Sequence, residues 1–258
     1  MLHLNIFYIT TLISYFFWPF VRIVSFFSSA PVFSDKLINR KTKIILSLCI
    51  SFLIAPFLPE IKISFFSSIG FILFLYQILI GITLGFIAQV LFVTANLAGE
   101  IIGLEIGLSF ATFFDFYTHI GISIISRLFK IIVLFFFLSL NGHLYLIYIL
   151  VNSFYNIPID ENILSANMLL IILKFSGYIF INSIMFVLPI IIFILVSNIT
   201  MGIINRLSPQ ISIFSIGLPL NLLIGIFLLY FLINIIFPFF KIILNQLIIF
   251  MTNFFKIY

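Results

Sequence analysis

Long apolar stretches, interrupted at intervals by charges, prolines and glycines, form the dominant pattern of the 258-residue chain. A helix that crosses a membrane needs about 20 apolar residues, and most of these stretches approach or exceed that length. The pattern predicts an all-α, polytopic integral membrane protein with about six hydrophobic helical segments in one membrane-embedded domain, 1–258. The predicted segments are 4–30, 44–58, 63–99, 131–157, 175–205 and 207–240.

Three of these segments depart from simple spans. The second is short for a crossing. The third has no charged residue and is too long, so it should tilt, kink near Gly81 and Gly85, or continue as a helix buried in protein. The last contains Pro219 in its interior, which favours a broken helix or a hairpin over one rod.

Composition excludes a water-soluble fold, because 64% of the residues are hydrophobic and only 7% are charged. The 12 Lys and Arg exceed the 7 Asp and Glu, but the basic residues lie mostly at the ends of apolar runs. They therefore indicate membrane orientation and no nucleic-acid partner. The link 35–43 holds four basic residues, so we expect it in the cytoplasm and the N-terminus outside.

Small residues recur at every fourth position from Ala95 to Ala111. Helices in lipid associate closely where small residues let their backbones approach, so this ridge predicts tight packing, either within the chain or against a neighbouring subunit. The glycines predicted to pack helices are Gly81, Gly85, Gly99, Gly103 and Gly107.

Three acidic residues, Glu100, Glu105 and Asp115, lie in or beside this ridge. An ionised carboxylate facing lipid is costly, so each should face protein or water. Glu100 and Glu105 would lie about 140° apart on a helix, which favours two separate hydrogen-bonding roles over a shared proton relay.

An aromatic stretch bounded by Gly107 and Gly121 follows the ridge and contains Asp115 and His119. Its aromatic side chains need burial and its backbone polar groups need partners, conditions that a protein-lined cavity meets. Constriction of a pore and plain burial against other helices both remain open on these grounds.

Motifs for catalysis, cofactors or metals are absent from the sequence. It has no Gly-x-x-x-x-Gly-Lys phosphate loop, no His-Glu-x-x-His zinc helix and no Gly-x-Ser-x-Gly nucleophile elbow. His3, His119 and His143 are widely spaced, and the only cysteine, Cys49, lies inside an apolar run. We therefore expect no enzyme activity, no cofactor and no metal site.

Six short stretches together resemble those of a known protein family, because they occur in the same order in a chain of this length and hydropathy profile. They are Phe-Val-Arg-Ile at 20–23, Ala-Pro-Val-Phe at 30–33, Asn-Leu-Ala-Gly-Glu-Ile-Ile-Gly-Leu-Glu-Ile-Gly-Leu-Ser-Phe-Ala-Thr at 96–112, Leu-Asn-Gly-His-Leu at 140–144, Asn-Arg-Leu-Ser-Pro-Gln at 205–210 and Phe-Ser-Ile-Gly-Leu-Pro at 214–219. The chain resembles the FliR family of flagellar export-gate subunits and their type III secretion counterparts.

The resemblance implies a subunit of a hetero-oligomeric export gate whose helices pair as hairpins. It implies FliP-like and FliQ-like partners, an FlhB-like subunit, a surrounding lipid bilayer and unfolded export substrates that pass through a central channel. It also implies a place in the bacterial inner membrane, at the flagellar basal body, and a role in flagellum assembly.

The resemblance further implies that 107–115 is the plug that closes the channel. The predicted plug residues are Gly107, Phe110, Phe113, Phe114 and Asp115. Family members commonly have Pro after the acidic residue, whereas this chain has Phe.

Residues 205–210 would link two helices of one hairpin, with Arg206 reaching an interface or pairing with a partner's carboxylate. A second interpretation of the chain is a small multi-pass, proton-coupled transporter, motivated by the three acidic residues in an apolar setting. A membrane enzyme comes third, because the reactive residues show no triad or metal spacing.

Overall fold

The structure is a computed structural model that describes residues 6–34, 38–58, 67–108, 123–159, 167–207 and 213–254. Within these ranges every secondary-structure element is a helix, which confirms the all-α prediction. The helices are α1 (Ile6–Ser29), α2 (Arg40–Ile54) with a 3-10 turn (Ala55–Phe57), α3 (Ser68–Ile106), α4 (Ile124–Ser139), α5 (Gly142–Asn156), α6 (Asn167–Leu207) and α7 (Ile213–Phe254).

Local chemistry sets both ends of α2. The side chain of Asn39 accepts a hydrogen bond from the backbone N–H of Lys41 at 3.2 Å, so it caps the helix at its start. At the other end Pro56 has no N–H to continue the α-helical pattern, and the chain tightens into the 3-10 turn. The short second segment is therefore a helix that is stopped by its own sequence.

Within the described residues, fewer helices qualify as candidate membrane spans than the six predicted segments. Among the described residues, three helices are long and apolar enough to cross a membrane: Ile69–Ile106, Ile172–Leu207 and Ile216–Thr252. The pair α4 and α5 could add a fourth as one bent span. The exact count of six is therefore not confirmed.

The segment predicted over 131–157 is divided in the structure. α4 ends at Ser139 and α5 begins at Gly142, and Asn141 between them has a φ of 56°. Asn tolerates this left-handed conformation better than most residues, so the Asn-Gly pair turns the chain.

The last predicted segment behaves in the opposite way. The sequence predicts a break near Pro219, and this is wrong: α7 continues through both Pro219 and Pro238. Each proline removes only its own N–H from the helix, and helices in membranes tolerate this loss. The overlong third segment likewise forms one helix. Within it, 56% of an apolar 18-residue stretch is buried in protein, which agrees with the prediction that this helix continues as one buried in protein.

The chain divides into two compact units. The first comprises 1–89, 141–175 and 245–258, and the second comprises 90–140 and 176–244. The single domain expected for 1–258 stays a prediction.

Each unit has its own aromatic and aliphatic core. In the first unit Trp18 and Phe154 are fully or almost fully buried. In the second, the ring of Phe129 contacts that of Phe186 edge-on at 5.8 Å between centroids. The described side chains of α6 and α7 leave many large apolar groups exposed, as a lipid or protein environment would require.

Candidate functional site

A seam of polar groups joins the end of α3 to the start of α4 in the second unit. The polar seam consists of Asn96, Gly99, Glu100, Ser123 and Ser126. The backbone N–H of Ser123 donates to Glu100 Oε1 at 3.1 Å, and its hydroxyl donates to the Gly99 carbonyl at 3.2 Å. The Ser126 hydroxyl donates to Asn96 Oδ1 at 2.7 Å. The start of α4 is thus attached to α3 at several points.

The sequence explains why these groups meet. Residues three and four apart share a face of a helix, so Asn96, Gly99 and Glu100 point the same way from α3. Gly99 permits the close approach, because a Cβ there would lie 2.7 Å from the backbone nitrogen of Ser126. Ser123 caps α4 by accepting a hydrogen bond from the Ser126 N–H at 3.1 Å.

α3 ends just before a glycine with a positive φ. Gly107 has a φ of 88°, and its N–H donates to the Leu104 carbonyl at 3.1 Å. Glycine adopts this left-handed conformation without strain, so it commonly ends helices. The side chain of Ile106, the last helical residue, lies against Gly225 of α7, where a Cβ would be 2.5 Å from its Cδ1. The point at which the chain leaves α3 is therefore well defined.

Two of the predicted acidic residues have different surroundings. Glu100 is half-buried and its carboxylate lies at the N-terminus of α4, where the helix dipole favours negative charge. Glu105 is also half-buried, but no hydrogen bond or ion pair engages it among the described residues. Only Glu100 takes part in the polar seam.

Most of the predicted plug lies outside the part of the chain that the structure describes. Phe110, Phe113, Phe114 and Asp115 lie outside the described residues. Gly107 is described, and it forms the turn after α3 and not a further step of the helix. Closure by 107–115 therefore stays a prediction.

The other predicted packing glycines lie on α3. A Cβ at Gly81 would be 2.5 Å from the Arg22 carbonyl oxygen and 2.9 Å from the Phe26 nitrogen, and one at Gly85 would be 2.9 Å from the nitrogen of Ala30. Both glycines thus touch the α1 backbone within the first unit. Gly103 is buried in the second unit. Whether these glycines support assembly with other subunits stays a prediction.

Arg206 lies exposed in the last turn of α6. A cation is favourable there because the helix dipole places partial negative charge at the C-terminus. No hydrogen bond or ion pair engages its guanidinium within the described part of the chain. Of the predicted link 205–210, the first three residues belong to α6, and 208–210 lie outside that part, so the link stays a prediction.

Sequence reasoning missed a second polar group, which we call the arginine cluster: Arg22, Gln77, Ser153, Phe154 and Ile157, all in the first unit. Arg22 is fully buried. Its Nε donates to Gln77 Oε1 at 2.6 Å, one terminal nitrogen donates to the Ser153 carbonyl at 2.8 Å, and the other donates to the Ile157 carbonyl at 3.0 Å. The guanidinium carbon lies 4.3 Å from the centre of the Phe154 ring.

The one sequence feature that points to this cluster is Arg22, the single charge in the first apolar segment. An arginine in such a segment needs polar partners, but no local pattern identifies residues so distant in the chain. Among the described residues no group of three or more His, Cys, Asp and Glu side chains could hold a metal ion. The two polar groups can therefore position helices and chain segments.

Comparison with known proteins identifies the family to which the chain belongs. The model of the family described as "Bacterial export proteins, family 1" matches residues 13–247. The flagellar biosynthetic protein FliR of Buchnera aphidicola subsp. Schizaphis graminum (strain Sg) is 59% identical over 250 residues, which cover 97% of each chain. The protein of the same name from Escherichia coli (strain K12) is 42% identical over 224 residues, or 87% of this chain and 86% of that one.

A more distant relative with this name, from Bacillus subtilis (strain 168), is 26% identical over 230 residues, which cover 86% of this chain and 87% of the relative. Relatives of high and of low sequence identity thus both match most of the chain. The chain belongs to family 1 of the bacterial export proteins, the family of the flagellar biosynthetic protein FliR, and is a membrane-embedded subunit of the flagellar-type protein export apparatus.

Proposed function

We propose that the chain is a channel-forming subunit of the export gate in the bacterial inner membrane, at the flagellar basal body. It lines the path of unfolded substrates together with FliP-like, FliQ-like and FlhB-like subunits, and it performs no chemical step itself. Residues 107–115 close the path at rest.

The observation that carries this proposal is the geometry at the end of α3. The chain leaves the helix at Gly107 and is attached to the same helix again where Ser123 binds Glu100. These two points on α3 are about 10 Å apart along the axis. A segment that leaves and rejoins one helix at neighbouring points is suited to act as a separate inserted element. Its bulky residues Phe110, Phe113 and Phe114 could fill a narrow channel.

The surfaces of α6 and α7 support a place in a larger assembly. Only 33% of an apolar 18-residue stretch of α6, and 17% of the corresponding stretch of α7, is buried within the chain. On α6, Gly177 and Gly202 are exposed, and a Cβ at either would meet nothing within 4 Å. Glycines permit close approach between helices in membranes, so this helix offers contact sites to neighbouring subunits.

Deleting Phe110 to Phe114 tests the closing role. The deletion should let ions through the resting gate, because each charge that crosses releases about 2.3 kcal/mol per 100 mV of membrane potential. Ion conductance should be measured in membranes of cells that express the variant, after blue-native electrophoresis has established normal assembly.

A matched variant keeps the length and bulk of the segment. Replacing Phe110, Phe113 and Phe114 together by Leu should leave the gate closed, since the side chains remain large and apolar. A normally assembled deletion variant without added conductance would contradict closure by this segment and favour its plain burial.

A further inference from the structure

We propose that Glu100 is a positioning residue of the gate. By accepting the backbone N–H of Ser123, its carboxylate fixes the point at which the chain rejoins the helices after residues 109–122. This inference rests on the proposed function above, because the effect on the gate follows only if the segment closes the channel.

The contacts at Ser123 show why Glu100 has this role. Ser123 is completely buried, so its N–H needs an acceptor inside the protein. Glu100 Oε1 lies 3.1 Å from the Ser123 nitrogen, and a carboxylate forms a stronger hydrogen bond with an N–H than a neutral oxygen does. The Ser123 hydroxyl binds the Gly99 carbonyl. Together these bonds hold the backbone and the side chain of one residue against one turn of α3.

The role requires a hydrogen-bond acceptor and does not require an ionisable group. The Oε1 of glutamine could accept the same N–H, whereas leucine would leave it unpaired in a buried position. A proton relay has the opposite requirement, because glutamine cannot exchange a proton at neutral pH. Glu100→Gln and Glu100→Leu therefore separate positioning from proton transfer.

α3 supplies its own control. Glu105 lies on the same helix and is half-buried like Glu100, but it takes no part in the polar seam. Glu105→Leu removes a carboxylate of the same kind without releasing Ser123. A general effect of placing leucine in this region would appear in both variants.

The experiment compares resting ion conductance of assembled gates that carry Glu100→Leu, Glu100→Gln, Glu105→Leu or the deletion of Phe110 to Phe114. Hydrogen exchange of peptides from 123–130 is measured on the same complexes. Glu100→Leu should conduct like the deletion and exchange about 10-fold faster at the start of α4, the change expected when one buried hydrogen bond is lost. Glu100→Gln and Glu105→Leu should match the native gate in both measurements.

Other outcomes have distinct meanings. A leaking deletion with a closed Glu100→Leu gate would overturn the positioning role and leave the proposed function standing. A deletion that does not leak would overturn the proposed function. Equal leakage from Glu100→Gln and Glu100→Leu would overturn positioning in favour of a role for the charge.

If Glu100→Leu fails to assemble, the hydrogen bond can instead be removed at its donor, the backbone N–H of Ser123. Ser123→Pro removes the N–H, and the φ of −63° at Ser123 suits proline. Ser123→Ala, which keeps that N–H and removes only the hydroxyl, is its control. Leakage should follow the loss of the N–H and not the loss of the hydroxyl; the reverse result would overturn the proposal.

Discussion

Arg22 carries its charge in an unusual setting, since it is fully buried in the first unit and its hydrogen-bond acceptors are all neutral. Two features offset the absence of a carboxylate. The carbonyls of Ser153 and Ile157 end α5, where the helix dipole favours a cation, and the face of Phe154 attracts positive charge. Gln77 Nε2 is buried without a hydrogen-bond partner among the described residues. The arginine cluster is therefore sensitive to the shape of each side chain.

Substitutions in the arginine cluster should lower thermal stability according to the hydrogen bonds they remove. Arg22→Lys should destabilise the chain, because a single ammonium group cannot serve acceptors arranged around a planar guanidinium. Gln77→Leu should cost about 1–3 kcal/mol by leaving the Arg22 Nε–H unpaired. Gln77→Glu is the matched control, since it keeps the acceptor and adds a counter-charge.

The stability of the full chain in detergent can be followed through Trp18, the only tryptophan, which is completely buried in the same unit. Equal melting temperatures for native protein and Arg22→Lys would contradict a structural role for the guanidinium geometry. A melting temperature for Gln77→Glu as low as that for Gln77→Leu would contradict a stabilising role for the acceptor oxygen at this position.

At the level of single residues, the sequence shows where charges lie within apolar segments but does not show what they bind. The first segment has one charge, Arg22, but Gln77 and Ser153 lie 55 and 131 positions away in the chain. The cost of a charge in an apolar setting is visible locally, whereas its partners depend on how distant helices pack. The same limit applies to Glu100: the sequence predicts a separate hydrogen-bonding role for it but does not identify Ser123 as the partner.

Among the elements, six glycines of the long helices fall into two groups that look alike in sequence. Gly81, Gly85, Gly99 and Gly225 lie against other parts of the chain, whereas Gly177 and Gly202 face open space. A helical glycine is unfavourable in itself, but at the positions of the first group a Cβ would clash. The difference predicts opposite responses to the same substitution.

Gly81→Ala should lower the melting temperature of the isolated full chain, and Gly202→Ala should leave it unchanged or raise it. The added methyl at position 81 would lie 2.5 Å from the Arg22 carbonyl oxygen, so the backbone of α1 must move, while a methyl at 202 meets nothing within 4 Å. Alanine also favours a helix over glycine by about 0.8–1.0 kcal/mol. Thermal unfolding of both variants in the same detergent provides the measurement.

Equal destabilisation by the two substitutions would contradict this account of glycine packing. Repeating the comparison on the assembled complex adds information about Gly202. If its exposed surface contacts another subunit, Gly202→Ala should weaken the complex while the isolated chain keeps its stability.

Helix existence was predictable from the apolar runs, but breaks and continuations were not. Asn141 and Gly142 divide a run that has no proline or charge at that point, because the backbone turns through a left-handed residue. Pro219 and Pro238 do not interrupt α7. Hydropathy reports how well a segment suits an apolar environment, and it does not report which backbone hydrogen bonds neighbouring groups replace.

For the whole molecule, composition established the membrane setting, and the family match established the export apparatus. The number of spans was less accessible, since a long apolar helix is compatible with lipid or with burial in protein. α3 is more than half buried within the chain, while α7 is mostly uncovered. Helices of such different burial have similar hydropathy, so only packing distinguishes them.

The uncovered helices lead to the last prediction, which concerns partners. A chain with a purification tag, extracted in mild detergent from cells that make the complete apparatus, should co-purify with FliP-like and FliQ-like proteins, because α6 and α7 expose large apolar surfaces within the described residues. A proton-coupled transporter would instead purify alone or as a homo-oligomer and would move a small solute. Mass spectrometry of the native complex measures which chains are present and in what ratio. Extraction from cells that lack the other export subunits is the control, and the high-mass complex should be absent there. Recovery of the same homo-oligomer from both kinds of cell would contradict a place in a hetero-oligomeric gate, since the exposed faces would then be covered by copies of the chain itself.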